Sequence, residues 1–227
     1  MLGHFDPWHH LVPGGGFIRT TDRRLETISM QRDQTLSAEP DEHRLTFLKG
    51  FLRRPADVGS VIPSSRFLER RIIRFAELDT AQCVVELGPG TGGTTRAFLA
   101  RMKPGSHLLA IELDPEFCTI VRRINDRRLI VHQGSAEDLP AMIEHYRIPP
   151  PQVVISGIPF STMPSEVGER IITSVRDTLS PGGLFVAYQF RAAVAEIARP
   201  ILGEPEVSPE FINIPPMRVF RWRMPQP

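Results

Sequence analysis

The residues best suited to chemistry lie in a glycine-rich stretch, Glu86-Leu87-Gly88-Pro89-Gly90-Thr91-Gly92-Gly93-Thr94-Thr95. The stretch follows a short apolar run, Cys83–Leu87, and precedes a helical pattern from Thr94 to Met102. A turn with few side chains between a strand and a helix lets the backbone approach a bound ligand. It is not a phosphate-binding P-loop, because no Gly-Lys-Ser/Thr follows. Dinucleotide sites use similar turns, so the stretch alone does not define the ligand.

Acidic residues close to this turn narrow the choice of ligand. Glu86 lies directly before the turn, where a carboxylate can meet an ammonium group. About 20 residues further on, a second predicted strand ends in Glu112-Leu113-Asp114-Pro115, which puts an acid where doubly wound folds bind ribose hydroxyls. Two more predicted strands end in Gln133-Gly134-Ser135-Ala136-Glu137-Asp138-Leu139 and in Ser156-Gly157-Ile158-Pro159-Phe160.

Strand and helix patterns alternate from about residue 80 onward. Apolar runs predict strands, and amphipathic runs between them predict helices. The predicted strands are Cys83–Leu87, His107–Ile111, Leu129–His132, Val153–Ser156, Leu184–Phe190 and a closing antiparallel pair, Val207–Ile214 and Arg218–Arg223. The predicted helices are Arg66–Leu78, Thr94–Met102, Pro115–Ile124, Ser165–Leu179 and Ala192–Ile201. This order predicts an α/β fold with a doubly wound, mainly parallel seven-stranded sheet, whose ligands bind at the carboxyl ends of the strands.

In this order, the E-L-G-P-G-T-G turn, the acidic second-strand end and the G-S-A-E-D-L segment resemble a class I S-adenosylmethionine-dependent methyltransferase. The resemblance covers about Thr80 to Arg223, and it implies S-adenosylmethionine as cofactor and S-adenosylhomocysteine as product. It also implies that Glu112 accepts the ribose hydroxyls, and that Ser135, where many relatives have Asp, borders the adenine. The full set of cofactor-binding residues that it implies is Glu86, Gly88, Pro89, Gly90, Thr91, Gly92, Thr94, Glu112, Leu113, Ser135, Ala136, Glu137, Ser156 and Gly157.

The fourth-strand segment, Ser156 to Phe160, indicates the acceptor. It resembles the Asn/Asp/Ser-x-x-Tyr/Phe element of amine methyltransferases, whose aromatic residue flanks the nitrogen that is methylated, but three residues rather than two separate Ser156 from Phe160. This implies that Phe160 presents an aromatic face to the amine, although a core position is the alternative. Tyr188, at the end of the fifth strand, is a candidate to accept the amine proton, with a core tyrosine as the equal alternative.

Two families share this element: ribosomal-RNA adenine dimethyltransferases and bacterial phospholipid N-methyltransferases. The residues from Arg44 to Ser65 are similar to the N-terminal region of the phospholipid enzymes. The segment Asn213 to Phe220, near the other end of the sequence, also resembles that family. The Gly-Gln-Asn-Phe-Leu entry of the RNA enzymes is absent. The resemblance therefore favours stepwise N-methylation of phosphatidylethanolamine towards phosphatidylcholine, with an RNA adenine or another aminolipid, such as ornithine lipid, as alternatives.

The region before the sheet is basic. Eight basic residues against Asp57 and Glu69 give +6 between Arg44 and Arg74, within a chain of net charge +1. A basic amphipathic helix is typical of membrane-surface or partner-binding elements, and packing on its own domain is the alternative. The predicted membrane-binding residues are Arg44, Phe47, Leu48, Lys49, Phe51, Leu52, Arg53 and Arg54. We therefore divide the chain into a poorly ordered tail (1–38), a basic helical region (39–78) and a methyltransferase domain (79–227).

Composition excludes several other classes of protein. Hydrophobic residues make up 41% of the 227 residues and charged residues 23%, which excludes wholesale disorder. The near-neutral charge does not favour a nucleic-acid partner. Two cysteines form no disulfide framework or spaced zinc site, so we expect no metal. Lacking an apolar span or a secretory signal, the sequence predicts a cytoplasmic protein bound peripherally to the inner face of the cytoplasmic membrane.

Overall fold

A computed structural model describes residues 65–213 and 215–226. Its strands are β1 (Cys83–Leu87), β2 (His107–Glu112), β3 (Leu129–Gln133), β4 (Val153–Ser156), β5 (Leu184–Gln189), β6 (Glu206–Glu210) and β7 (Met217–Arg223). They form one sheet in the order β3-β2-β1-β4-β5-β7-β6. The first five strands run parallel, whereas β7 is antiparallel to both β5 and β6. The predicted α/β fold, a doubly wound and mainly parallel sheet, is confirmed.

Helices connect the parallel strands and cover both faces of the sheet. In the described part of the chain they are α1 (Arg66–Phe75), α2 (Gly93–Leu99), α3 (Pro115–Arg122), α4 (Leu139–Tyr146), α5 (Ser165–Thr178) and α6 (Ala193–Leu202). The helix α1 begins where the Ser65 hydroxyl accepts a hydrogen bond from the Leu68 N–H, and α3 begins where Asp114 does the same for Glu116 and Phe117. Such N-caps satisfy donors that the first helical turn leaves unpaired.

Two apolar clusters enclose the sheet, one on each face. The first joins β-strand residues such as Val85 and Phe185 to α4, α5 and α6. The second joins Leu68 and Ile72 of α1 and Phe98 of α2 to the opposite face. All five residues of β1 are buried, as expected for a central strand covered on both sides.

Some predicted boundaries were wrong. The helix α1 ends at Phe75 rather than at Leu78, and Glu77 behind it has a left-handed φ of 50°. The strand β6 ends at Glu210 because the next free donor, the Ile212 N–H, bonds to the Glu210 side chain instead of a strand partner. The helix α4 was not predicted, because Pro140 breaks its pattern; a proline is tolerated there since it lies in the first turn.

A bilayer span requires a long apolar helix. In the range 65–213 and 215–226, none of the helices is long and apolar enough to cross a membrane. The same residues contain no group of three or more His, Cys, Asp or Glu side chains suited to hold a metal ion.

Candidate cofactor and acceptor site

The glycine turn between β1 and α2 requires glycine at three positions. Gly88, Gly90 and Gly92 have φ values of 74°, 55° and 76°, a region that side chains disfavour. The Gly88 N–H donates to the Ile111 carbonyl at 2.9 Å, which fixes the turn to the end of β2. A Cβ added at Gly90 would meet no atom within 4 Å, so the space beside Gly90 is open. A side chain at this position is therefore disfavoured by the backbone conformation alone.

Glu112, at the end of β2, lies against this turn. Its Oε2 accepts from the Gly90 N–H at 3.0 Å, and its Oε1 accepts from the N–H groups of Leu113 and Asp114 at 2.8 and 3.0 Å. Burial raises the pKa of this carboxyl, while the hydrogen bonds from Asp114, Gly90 and Leu113 act to lower it. The side chain is therefore held at the strand end in one orientation, beside the open space at Gly90.

Glu86 is more enclosed than the sequence indicates. The residue is fully buried, and its two oxygens accept hydrogen bonds from the hydroxyls of Thr94 at 2.6 Å and Thr95 at 2.7 Å. Burial raises its pKa to about 7, against the lowering effect of these two bonds. An ammonium group would therefore reach a carboxylate whose oxygens already have partners. Thr95 was not identified from the sequence, because nothing in its spacing indicates the contact with Glu86.

The segment after β3 is oriented by α5. Ser135 caps a short 3-10 helix, Ala136–Asp138, by accepting from the Glu137 N–H. The Glu137 carboxylate pairs with Arg170 at 2.5 Å, and its carbonyl accepts from Ser174 at 2.8 Å. The Gly134 N–H donates to the Glu112 carbonyl at 3.0 Å, so the segment adjoins the cofactor side of the sheet. Arg170 and Ser174 were not predicted, because nothing in their spacing indicates the contact.

The predicted acceptor segment also reaches the glycine turn. The Gly157 N–H donates to the Leu87 carbonyl at 2.9 Å, and a Cβ at Gly88 would lie 3.1 Å from Ile158 Cγ1. Ser156 is fully buried, with its hydroxyl accepting from the Ile158 N–H at 3.2 Å. Gln189 at the end of β5 donates to the Ile158 carbonyl at 2.5 Å. The ends of β1, β4 and β5 therefore meet at one place, and Gln189 is a member of the site that sequence reasoning missed.

Tyr188 and Phe160 differ in their surroundings. A Cβ added at Gly157 would lie 2.4 Å from the Tyr188 hydroxyl oxygen, so this hydroxyl faces the acceptor segment. Burial and the nearby Glu86 raise the Tyr188 pKa, whereas the Thr94 side chain lowers it. Phe160 is 1% exposed and packs in the core beside Gly168. The aromatic face expected to be available to an amine is therefore buried in this structure.

Three further predicted cofactor residues lie in the glycine turn or directly after β2. Pro89 is buried between two glycines, Thr91 is exposed, and Leu113 is half-buried after β2. The eight predicted membrane-binding residues, Arg44 to Arg54, lie outside the described residues, so their role stays a prediction.

The strand ends thus form an edge of the kind at which doubly wound folds bind nucleosides, with a glycine turn, a buried acid bonded to it from the neighbouring strand and open space beside Gly90. Comparison with known proteins defines it further. Residues 84–183 match the family model described as a methyltransferase domain. An ornithine lipid N-methyltransferase of Singulisphaera acidiphila is 31% identical over 141 residues, which are 61% of this chain and 73% of that protein. The chain belongs to the class I S-adenosylmethionine-dependent methyltransferases, and S-adenosylmethionine is its methyl donor.

Other relatives share less of their length. A ribosomal RNA small subunit methyltransferase A of Caulobacter vibrioides is 29% identical over 58% of this chain, and the match spans 48% of that protein. Among solved structures, TrmN from Thermus thermophilus has a TM-score of 0.57 at 18% identity, covering 69% of this chain and 48% of its own. N-methyltransferase NodS from Bradyrhizobium japonicum has a TM-score of 0.55 at 15% identity, covering 73% of this chain and 100% of its own. These two structures support the fold.

The residues present fit this cofactor. The open space beside Gly90 leaves room for a bound group close to the backbone, and Glu112 presents a buried carboxylate next to it. Glu86 supplies a second acid at the start of the turn. The turn at Gly90 and Glu112 can therefore take a group that carries a ribose.

Proposed function

We propose that the protein transfers methyl groups to the primary amine of a membrane aminolipid. The observation that carries this proposal is the 31% identity to an ornithine lipid N-methyltransferase, which extends over 73% of that protein. The segment Ser156 to Phe160, similar to that of amine methyltransferases, is consistent with it, because its backbone contacts the glycine turn. Phosphatidylethanolamine and ornithine lipid are the two candidate acceptors, since both carry a primary amine on a membrane-held body.

S-adenosylmethionine, when bound, supplies an electrophilic methyl group on a sulfonium. In the proposed arrangement Glu112 and the turn at Gly88, Gly90 and Gly92 hold the nucleoside, while Glu86 stays buried beside the turn, bonded to Thr94 and Thr95. The protein's main contribution to such a displacement is to align the acceptor nitrogen with the methyl group. In the proposal Gly157 and Ile158 form the wall on which that nitrogen rests, since they join the turn to the end of β5.

The acceptor amine must lose a proton before it attacks. With its pKa raised, the Tyr188 phenol keeps its own proton at neutral pH, so it does not act as a tyrosinate base. We propose that it accepts the amine proton while passing its own towards Thr94, whose hydroxyl bonds to Glu86. Glu86, with a pKa of about 7, is suited to receive a proton at neutral pH.

The change Tyr188→Phe tests this relay. We expect the turnover rate to fall by about two to four orders of magnitude at neutral pH, the usual contribution of a positioned proton acceptor. S-adenosylmethionine affinity should stay near the wild-type value. If turnover and its pH profile are unchanged, Tyr188 has no role in proton transfer.

A second candidate acceptor, an RNA adenine, is favoured by the similarity to ribosomal RNA small subunit methyltransferase A. The decisive experiment offers the protein three acceptors in parallel with labelled S-adenosylmethionine: phosphatidylethanolamine vesicles, ornithine lipid vesicles and small-subunit ribosomal RNA. We expect label in at least one of the lipids and none in RNA. Label in RNA alone would replace the aminolipid proposal with the RNA one.

A further inference from the structure

Four large apolar side chains are exposed at the carboxyl end of the sheet, the end that also carries the cofactor site. They are Phe67, Phe190, Phe211 and Ile212, 49%, 54%, 76% and 61% exposed, which we call the apolar edge. Strand register puts Phe190, Phe211 and Ile212 at the same end, because Gln189 pairs with Arg218 and Met217 pairs with Glu210. Phe67 lies at this end too, because Ser65 at the start of α1 bonds to Asn213. Phe190 and Phe211 follow directly after strands that lie two strand spacings apart, about 10 Å. Exposed apolar residues grouped in this way mark an interaction site.

The loop that carries Phe211 and Ile212 is anchored on both sides by buried polar residues. Before it, Glu210 accepts from Arg71 Nε at 2.8 Å and from the Ile212 N–H at 3.0 Å. After it, Asn213 accepts from the Ser65 N–H at 3.0 Å and donates to the Pro215 carbonyl at 2.9 Å. Glu210 and Asn213 are 3% and 4% exposed. These hydrogen bonds fix the backbone of the loop, so that the side chains of Phe211 and Ile212 are held at the surface.

Charge at this edge is basic. Arg191 follows Phe190, Arg218 lies next to Met217 on β7, and Arg66 precedes Phe67; all three arginines are exposed. The acid within the loop, Glu210, is paired with Arg71, and this pairing lowers its pKa. Apolar side chains surrounded by arginines suit the surface of an anionic bilayer, which attracts basic residues while apolar groups insert among the headgroups.

We propose that the apolar edge is a second membrane-docking surface, in which Phe211 and Ile212 insert into an anionic leaflet. This inference rests on the proposed lipid substrate. It explains how an acceptor amine reaches the site: the carboxyl ends of β1, β4 and β5 face the same side as the inserted residues. The lipid is then methylated while it remains in the bilayer.

The test compares full-length variants in sedimentation with vesicles of phosphatidylethanolamine and phosphatidylglycerol. The double variant Phe211→Asp/Ile212→Asp removes the inserting groups. Val207→Asp is the matched control, because Val207 is 46% exposed on the same hairpin but lies near the opposite end of β6, about 13 Å from Phe211. We expect the vesicle partition coefficient of the double variant to fall at least tenfold, with Val207→Asp near wild type. Thermal midpoint and S-adenosylmethionine affinity should match wild type in both.

Turnover measurements on two kinds of substrate distinguish a failure of the docking surface from a failure of the proposed function. The double variant should lose vesicle turnover while methylating a short-chain, water-soluble aminolipid at the wild-type rate. Wild-type vesicle binding by the double variant would overturn the docking surface and leave the aminolipid proposal intact. Absence of turnover on every lipid by the wild type would contradict the proposed function. The sedimentation assay would still show whether the apolar edge binds vesicles. A wild-type dimer that the double variant dissociates, with vesicle binding unchanged, would assign the edge to a second copy of the chain instead.

Discussion

At the residue scale, alanine substitution at Gly90 and at Gly105 distinguishes an effect on backbone stability from an effect on cofactor binding. Gly90 and Gly105 share a left-handed φ, 55° and 80°, and a Cβ at either position meets no atom within 4 Å. Alanine should therefore cost a similar amount of stability at both, about 1–2 kcal/mol. Only Gly90 adjoins Glu112, whereas Gly105 lies in the turn before β2, at the other end of the sheet.

We accordingly expect Gly90→Ala to weaken S-adenosylmethionine binding at least tenfold, because its methyl group enters the cofactor space. Gly105→Ala should leave the affinity unchanged. Isothermal titration measures both, with thermal unfolding as the control for stability. Equal affinities in the two variants would show that the cofactor does not approach the turn at Gly90.

Glu86 makes stability depend on pH. Its folded-state pKa, about 7, is above the ordinary 4.5, so the folded protein holds this proton more tightly than the unfolded chain. The stabilisation is therefore complete below pH 4.5 and is lost as the pH rises to about 7. The loss is on the order of 3 kcal/mol.

The variant Glu86→Gln, which is neutral at every pH, should remove this dependence. We expect chemical unfolding of the cofactor-free protein to show wild-type stability falling relative to Glu86→Gln between pH 5 and pH 7. Parallel curves for the two proteins would mean that Glu86 titrates normally and is not buried as described.

At the element scale, the acceptor wall depends on close packing between the β4 loop and β5. A Cβ at Gly157 would lie 2.4 Å from Tyr188 Oη and 2.9 Å from its Cζ. Gly157→Ala should therefore lower the thermal midpoint and turnover. Adding Tyr188→Phe removes the closest atom, so the double variant should regain part of the stability lost by Gly157→Ala. A purely additive double-mutant cycle would contradict this packing.

Elements with a regular apolar pattern were predictable from the sequence. The strands β1 and β4 have the predicted bounds, because both are short, fully buried runs. The approach of Gly90 to Glu112 was predictable, because the neighbouring parallel strands β1 and β2 end at the same edge of the sheet. The orientation of side chains does not follow from it: Glu86 bonds to Thr94 and Thr95, and Phe160 packs in the core, because long-range packing decides which way each one turns.

At the scale of the whole molecule, charge and apolar surface are distributed unevenly. The net charge is +1, yet Arg66, Arg191 and Arg218 are exposed at the end of the sheet that carries Phe211 and Ile212. A nearly neutral protein with a basic, apolar edge is suited to reversible contact with an anionic surface. We expect addition of phosphatidylglycerol to phosphatidylethanolamine vesicles to raise turnover severalfold, and high salt to reverse the gain.

The most direct test of the account is to locate the transferred methyl group by tandem mass spectrometry. Vesicles containing phosphatidylethanolamine and ornithine lipid would be incubated with the protein and S-adenosylmethionine, with vesicles incubated without S-adenosylmethionine as the control. We predict one or more methyl groups on the headgroup nitrogen of at least one of these lipids, and none in the control. Unmodified lipids after incubation with protein that binds S-adenosylmethionine would contradict the assignment of a lipid amine as the acceptor.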